Sequence, residues 1–286
     1  MALASACGYH EQRFSDDHLK PSRDRTLRLI DSPSLMEFAL PPCEEANVFV
    51  DRYFGSSSKL QFLHGTTTLA FIYEPLTDND KGGIVVAADS RASTGQYVGS
   101  QTVTKILEVS DHIVGTMAGG AGDCQFWIRV LAKQAKLFEL RDKQPISVAA
   151  ASKLLANMLY NYKGMGLSVG SQIAGFDKRG PSLYYVDNDG KRVPGKLFSI
   201  GSGSLNAYGI LDNFWRPKMS DNEAIELGRK AIMHATYRDT GSGGVCNVYH
   251  VTKDCQKYLG KKDVSDMYYD FMKENNKDTF DPSVLQ

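Results

Sequence analysis

Thr66 follows Gly65 where a polar, proline-broken stretch gives way to the first strongly apolar run of the chain. A hydroxyl is a poor nucleophile unless a base removes its proton, and a threonine at a chain terminus carries its own candidate base, the free α-amine. That amine titrates at roughly 7.7–8.0, far closer to working pH than a lysine does. It cannot act while Gly65 acylates it, so this chemistry requires the Gly65–Thr66 bond to be cut. A glycine before the bond offers little hindrance to attack by the neighbouring hydroxyl. Asp89 ends the apolar run that starts at Gly83, and Lys105 opens the run Lys105-Ile106-Leu107. A buried Lys105 ammonium would favour the neutral amine, and Asp89 would keep that lysine oriented and charged. Two glycine-rich stretches, Gly115-Thr116-Met117-Ala118-Gly119-Gly120-Ala121 and Tyr237-Arg238-Asp239-Thr240-Gly241-Ser242-Gly243-Gly244, add backbone N–H groups and polar side chains. Singly, each feature has an ordinary reading: threonines favour strands, an aspartate ends a strand in a turn, a lysine is solvated, and a glycine supplies positive φ.

The elements that would position these residues follow from periodicity. Thr67 to Tyr73 and Ile84 to Ala88 read as strands joined by the turn-rich Thr77-Asp78-Asn79-Asp80-Lys81-Gly82-Gly83, and Lys105 to Val109 and His112 to Met117 as a second hairpin. The apolar stripe Phe126, Val130, Leu131, Leu137 and Phe138 predicts a helix over Asp123 to Leu140. Ser147 is placed to cap a helix to Tyr162, with Gly164 past its end. Strands are expected at Gln172 to Phe176, Leu183 to Val186, Leu197 to Ile200 and Val245 to Val251. The Ser220-Asp221-Asn222-Glu223 capping pattern opens a helix to about Tyr237. Strands, two helices, strands, a helix and a strand describe an α+β domain of antiparallel sheets with helices outside, and two stacked sheets between helix layers would bury the strands on both faces.

Taken together, Thr66-Thr67-Thr68-Leu69-Ala70-Phe71, Ala87-Ala88-Asp89-Ser90-Arg91, Ser100-Gln101-Thr102-Val103 with Lys105, Gly115 to Ala121, Gly201-Ser202-Gly203-Ser204 and Tyr237-Arg238-Asp239 resemble the β-type subunits of the proteasome, in order, over roughly Thr66 to Val251. Ala149 to Asn157 and Lys163-Gly164-Met165-Gly166-Leu167 are similar to the type-5 branch of that family, whose activity is called chymotrypsin-like. The resemblance implies the N-terminal nucleophile hydrolase fold, a four-layer αββα sandwich. Residues 1–65 would be a propeptide cut off at Gly65-Thr66, and 66–286 a single domain. It also implies Thr66 as nucleophile, Asp89 and Lys105 as catalytic acid and lysine, Gly119 as the N–H donor to the oxyanion, and Ser202, Asp239 and Ser242 around the terminal amine. Ala92, Val103, Met117 and Ala121 match the pocket for the residue before the cleaved bond. Small Ala92 and Ala121 over flexible Met117 leave room for a bulky apolar group. The implied partners are other α- and β-type subunits in four stacked seven-membered rings, regulatory caps, and unfolded, ubiquitin-targeted substrates. Glu74 to Gly82 makes the first hairpin longer than the family's, and the tail after Cys255 matches nothing recognisable.

Composition narrows the field. Lys plus Arg (33) balances Asp plus Glu (33), so no global field favours nucleic acid or an anionic membrane. The richest apolar runs are strand-length, and the start lacks the basic head of an export signal. Five scattered cysteines suggest reduced thiols in cytoplasm or nucleus. His112, His234 and His250 lack metal-ligand spacing, so neither a metal nor a cofactor is called for. Gly201-Ser202-Gly203 only partly echoes a G-x-S-x-G elbow. Two other readings remain at this stage: a structural subunit without catalysis, and a stand-alone amidohydrolase of the same fold.

Overall fold

A computed structural model describes residues 65–94 and 97–274. The expected leader before Gly65, with Cys7 and Cys43, lies outside the described residues.

Strand β1 (Thr68–Pro75) pairs antiparallel with β2 (Gly83–Ala88), Thr68 opposite Ala88 and Tyr73 opposite Gly83. The first sheet runs β11-β1-β2-β13-β14, where β11 is Leu197–Ile200, β13 Val245–Val251 and β14 Gln256–Asp263, and the short β12 (Lys218–Met219) joins β1 in parallel. The second sheet runs β10-β9-β8-β6-β5, from β10 (Arg192–Gly195) through β9 (Gly180–Asp187), β8 (Val169–Asp177) and β6 (Ile113–Thr116) to β5 (Ile106–Ser110); β7 (Ala118–Gly119) adds to β8. A separate hairpin is formed by β3 (Ala92–Thr94) and β4 (Tyr97–Ser100).

Because side chains alternate along a strand, β1 has two apolar faces. Leu69 and Phe71 pack with Val85 and Ala87 against the helices α3 (Ser204–Phe214) and α4 (Asp221–Arg238). Ala70, with Ile84, Val86 and Ala88, meets Ile106, Val114, Ala174 and Leu183 of the second sheet. The outer face of that second sheet lies under α1 (Ala121–Asp142) and α2 (Val148–Tyr160), where Trp127, Ile128, Leu131, Leu155 and Leu159 fill the core. Helix α5 (Val264–Glu274) reaches the first core through Val264 and Met267. Helix pair, sheet, sheet and helices make the four layers expected from the element order.

The helix ends are chemically specified. Ser147 caps α2 by accepting from the Ala150 N–H, and Ser220 and Glu223 close a reciprocal capping box on α4. The long β1–β2 connection is fastened to α4: Asp221 accepts the N–H groups of Lys81 and Gly82, and Asp80 accepts the Asp221 N–H. Periodicity does not announce the β3–β4 hairpin, the short β7 and β12, β10, α3, or the β14–α5 unit.

Candidate active site

Pairing of β1 with β2 carries Asp89, the residue after β2, beside Thr67, which precedes β1. The Thr67 N–H donates to Asp89 Oδ1 at 2.9 Å and the Asp89 N–H to Thr67 O at 3.1 Å. Lys105 comes from the other sheet, one residue before β5, where its carbonyl accepts the Met117 N–H at 2.8 Å. Thr66, Asp89 and Lys105 are all buried, at 6%, 0% and 4% exposure. Lys105 Nζ lies 2.8 Å from Asp89 Oδ1, 2.9 Å from Thr66 Oγ1 and 3.2 Å from Gly65 O. An ammonium has three donors, and this one has three acceptors. The Thr66 hydroxyl in turn donates to Gly65 O at 2.5 Å.

The Asp89 carboxylate is held by backbone as well, for Oδ2 accepts the N–H groups of Gly243 at 2.9 Å and Arg91 at 3.2 Å. Burial pushes its carboxyl above the ordinary range, while Lys105 and the N–H donors pull the other way. Burial pushes the Lys105 ammonium below its ordinary value, and Asp89 opposes that shift. Both effects bring two groups of very different intrinsic pKa closer together, which eases transfer of a proton within the cluster.

A second chain of hydrogen bonds reaches the Thr66 nitrogen. Its N–H donates to Ser202 Oγ at 3.1 Å, and Ser202 donates to Asp239 Oδ2 at 2.5 Å. Ser242 donates to the same oxygen at 2.6 Å, which leaves its own oxygen to accept from Thr67 Oγ1 at 2.7 Å. Asp239, the C-cap of α4, thus orders both serines from one side of Thr66 while Asp89 orders Lys105 from the other. Ser202 is brought in by the turn after β11, where Gly201 has φ +113° and a Cβ there would collide with the Thr66 carbonyl.

Beside Thr66 opens a cleft lined by Ala92, Val103, Met117 and Ala121 together with Gly65, Arg91, Ser93, Lys105 and Gly119. All four residues matched to the pocket therefore share one wall-and-floor arrangement, with Met117 buried to 3% exposure. Gly119 sits at φ +108°, with Ser168 backbone where a side chain would be. A larger groove beside Leu76, Phe214 and Lys230 shares no residue with this site. His112 and His250 serve elsewhere, against Ile146 O and against Tyr73 and Gly82 O.

Two further residues of the site, Thr67 and Arg91, are not singled out by residue type and spacing. Thr67 completes the serine chain, and Arg91 lines the cavity and donates from Nη1 to Thr240 O at 3.1 Å. The available signal was local: Thr67 adjoins the nucleophile candidate, and Arg91 stands two residues after Asp89.

A model of the family described as "Proteasome subunit" matches residues 62–251. Among curated relatives, "Proteasome subunit pbs-5" of Caenorhabditis elegans is 54% identical over 260 residues, covering 89% of this chain and 92% of that protein. "Proteasome subunit beta type-5" of Gallus gallus is 56% identical over 209 residues, 73% of this chain and 79% of its own length. "Proteasome subunit beta type-8" of Homo sapiens is 46% identical over 242 residues, with 84% and 85% covered. Matched along most of its length by relatives of which it covers 79% to 92%, and by the family model across the strands that build the site, the chain belongs to the proteasome subunit family.

Proposed function

We propose that this chain is the precursor of a catalytic β subunit of the proteasome core, a threonine endopeptidase of the type-5 kind that cleaves after large hydrophobic residues. The observation that carries the reading is the position of Lys105 Nζ, which meets Thr66 Oγ1, Gly65 O and Asp89 at once. Residues 1–65 are its propeptide. In maturation Thr66 Oγ attacks the Gly65 carbonyl carbon as its proton passes to the Lys105–Asp89 cluster. The C–N bond then breaks, the proton goes to nitrogen, and the Gly65 acyl group is left as an ester on Oγ. Water hydrolyses that ester, giving a Gly65 carboxylate and a free Thr66 amine.

The mature site repeats the sequence on substrate. Thr66 Oγ attacks the carbonyl carbon, its proton leaves with the amine product, and water cleaves the acyl ester. Ser202 and Asp239 hold the new amine near Oγ, the Lys105 ammonium favours its neutral, basic form, and Gly119 is the proposed oxyanion donor. The Ala92–Val103–Met117–Ala121 cavity supports a bulky apolar residue before the cut. Assembly follows family membership: α- and β-type subunits in stacked seven-membered rings with regulatory caps, taking unfolded ubiquitin-targeted chains in cytoplasm and nucleus.

Hydrolysis of a fluorogenic peptide with a bulky apolar residue before the reporter tests this, read on fractions separated by size. Activity should elute with a very large assembly and disappear in Thr66→Ala. Activity that survives in Thr66→Ala contradicts the mechanism, and activity in a particle the size of one chain favours a stand-alone amidohydrolase.

A further inference from the structure

Gly65 and Gly241 pack backbone against backbone. A Cβ on Gly65 would run into the Gly241 carbonyl oxygen, Cα and carbonyl carbon, and a Cβ on Gly241 would fall 2.6 Å from Gly65 Cα. Neither clash can be relieved by a rotamer change, because both obstacles are main chain. The loop around Gly241 is also tied in place. Its N–H donates to Asp239 Oδ1 at 3.1 Å, Arg91 grips the neighbouring Thr240 carbonyl, and the Gly243 N–H is held by Asp89.

Backbone conformation does not explain the glycine at 241, since its φ lies outside the left-handed region that side chains avoid. After Gly65 Cα, the atoms nearest to a methyl there are Ser202 Oγ at 3.3 Å and Asp239 Oδ1 at 3.4 Å, side-chain contacts that a few tenths of an ångström relieve. The close main-chain approach to Gly241 therefore comes from residue 65, and it ends when residue 65 is released.

We infer that Gly241 is a specificity-determining residue for precursor cleavage: it limits the residue before the cut bond to glycine and seats the Gly65 carbonyl against Lys105. This rests on the reading of Gly65–Thr66 as the processed bond. A methyl on either partner pushes the Gly65 carbonyl away from Thr66 Oγ1 and Lys105 Nζ, and a displacement near 1 Å costs on the order of a hundredfold in rate. Once the leader is gone the restriction has no object, so the mature site tolerates the methyl.

The test expresses four full chains with their partner subunits: wild type, Gly65→Ala, Gly241→Ala, and Gly241→Ala made to begin at Thr66 by removal of an N-terminal fusion. Mass spectrometry follows precursor cleavage, and peptide hydrolysis is read per assembled particle. Both alanine precursors should be cleaved at least about a hundredfold more slowly than wild type, while the chain that begins at Thr66 hydrolyses peptide close to the wild-type rate. Wild-type cleavage of the Gly241→Ala precursor overturns the inference. So does an inactive Gly241→Ala chain beginning at Thr66, which would make the glycine a requirement of the folded site itself. A wild-type chain left uncut at this bond overturns the functional reading, and this inference with it.

Discussion

At the scale of single residues the site depends on a buried ion pair that performs chemistry. Asp89 is fully buried, and its two oxygens accept from Lys105 and from three backbone N–H groups. Removing one charge of such a pair strands the other in an apolar surround, at a cost of about 3–5 kcal/mol. Asp89→Asn should therefore lower the denaturation midpoint as well as hydrolysis, whereas a residue that served catalysis alone would lower only the second. Chemical denaturation and peptide hydrolysis on the same preparation separate the two cases. Asp239 differs: it is half-buried and bonded to two hydroxyls and a backbone N–H, and among the described residues it forms no ion pair. Its work is to orient Ser202 and Ser242.

At the scale of elements, the latch between the β1–β2 connection and α4 includes a buried histidine. His250 on β13 touches the Tyr73 hydroxyl at 2.8 Å and Gly82 O at 3.1 Å, and Tyr73 donates to Asp221 Oδ1 at 2.7 Å. With its hydroxyl proton on Asp221, Tyr73 accepts from His250, which therefore carries a proton on Nε2. Burial pushes His250 below its ordinary pKa, and the Asp221 carboxylate only partly offsets this. As pH falls below about 6.5 the unfolded chain takes up the proton first, so stability present above that pH declines until the lower folded pKa is passed. Denaturation midpoints measured through this range should fall with pH in the wild type and fall less steeply in His250→Phe. The main strands and the helices α1, α2 and α4 were legible in the sequence because apolar runs mark the strands, an apolar stripe marks α1, and Ser caps mark α2 and α4. Helix α3 was not, for it buries only Ala207 and Leu211 and starts at Gly203 with no side-chain cap. Strand β14 was hidden too: it is an edge strand carrying Lys257, Lys261 and Lys262, a polar pattern that protects an edge and reads as loop. Of the site, Thr66, Asp89 and Lys105 had local signals at strand ends. The Thr67–Ser242 contact, 175 residues apart, had none.

At the scale of the whole molecule, the site exists only because two sheets stack: Thr66 and Asp89 belong to one, Lys105 to the other. The outer helix layer is less settled on its own. Leu137 and Leu140 on α1 are 58% and 55% exposed and, three residues apart, share one helix face, with Tyr160 of α2 also exposed at 62%. Subunits that assemble cover such side chains. Changing Leu137 and Leu140 to Glu should leave stability within about 0.5 kcal/mol per site yet reduce the fraction of the chain that elutes in a large particle, and unchanged elution would remove this face from the assembly. The central claim, that one freed threonine both attacks and accepts the proton, is most directly tested by identifying the N-terminal peptide of the active protein after reaction with an electrophile that captures a terminal amine and its neighbouring hydroxyl. The account predicts a peptide that begins Thr66-Thr67-Thr68 with the adduct on Thr66. A hydrolytically active protein whose Thr66 nitrogen is still joined to Gly65 would contradict it.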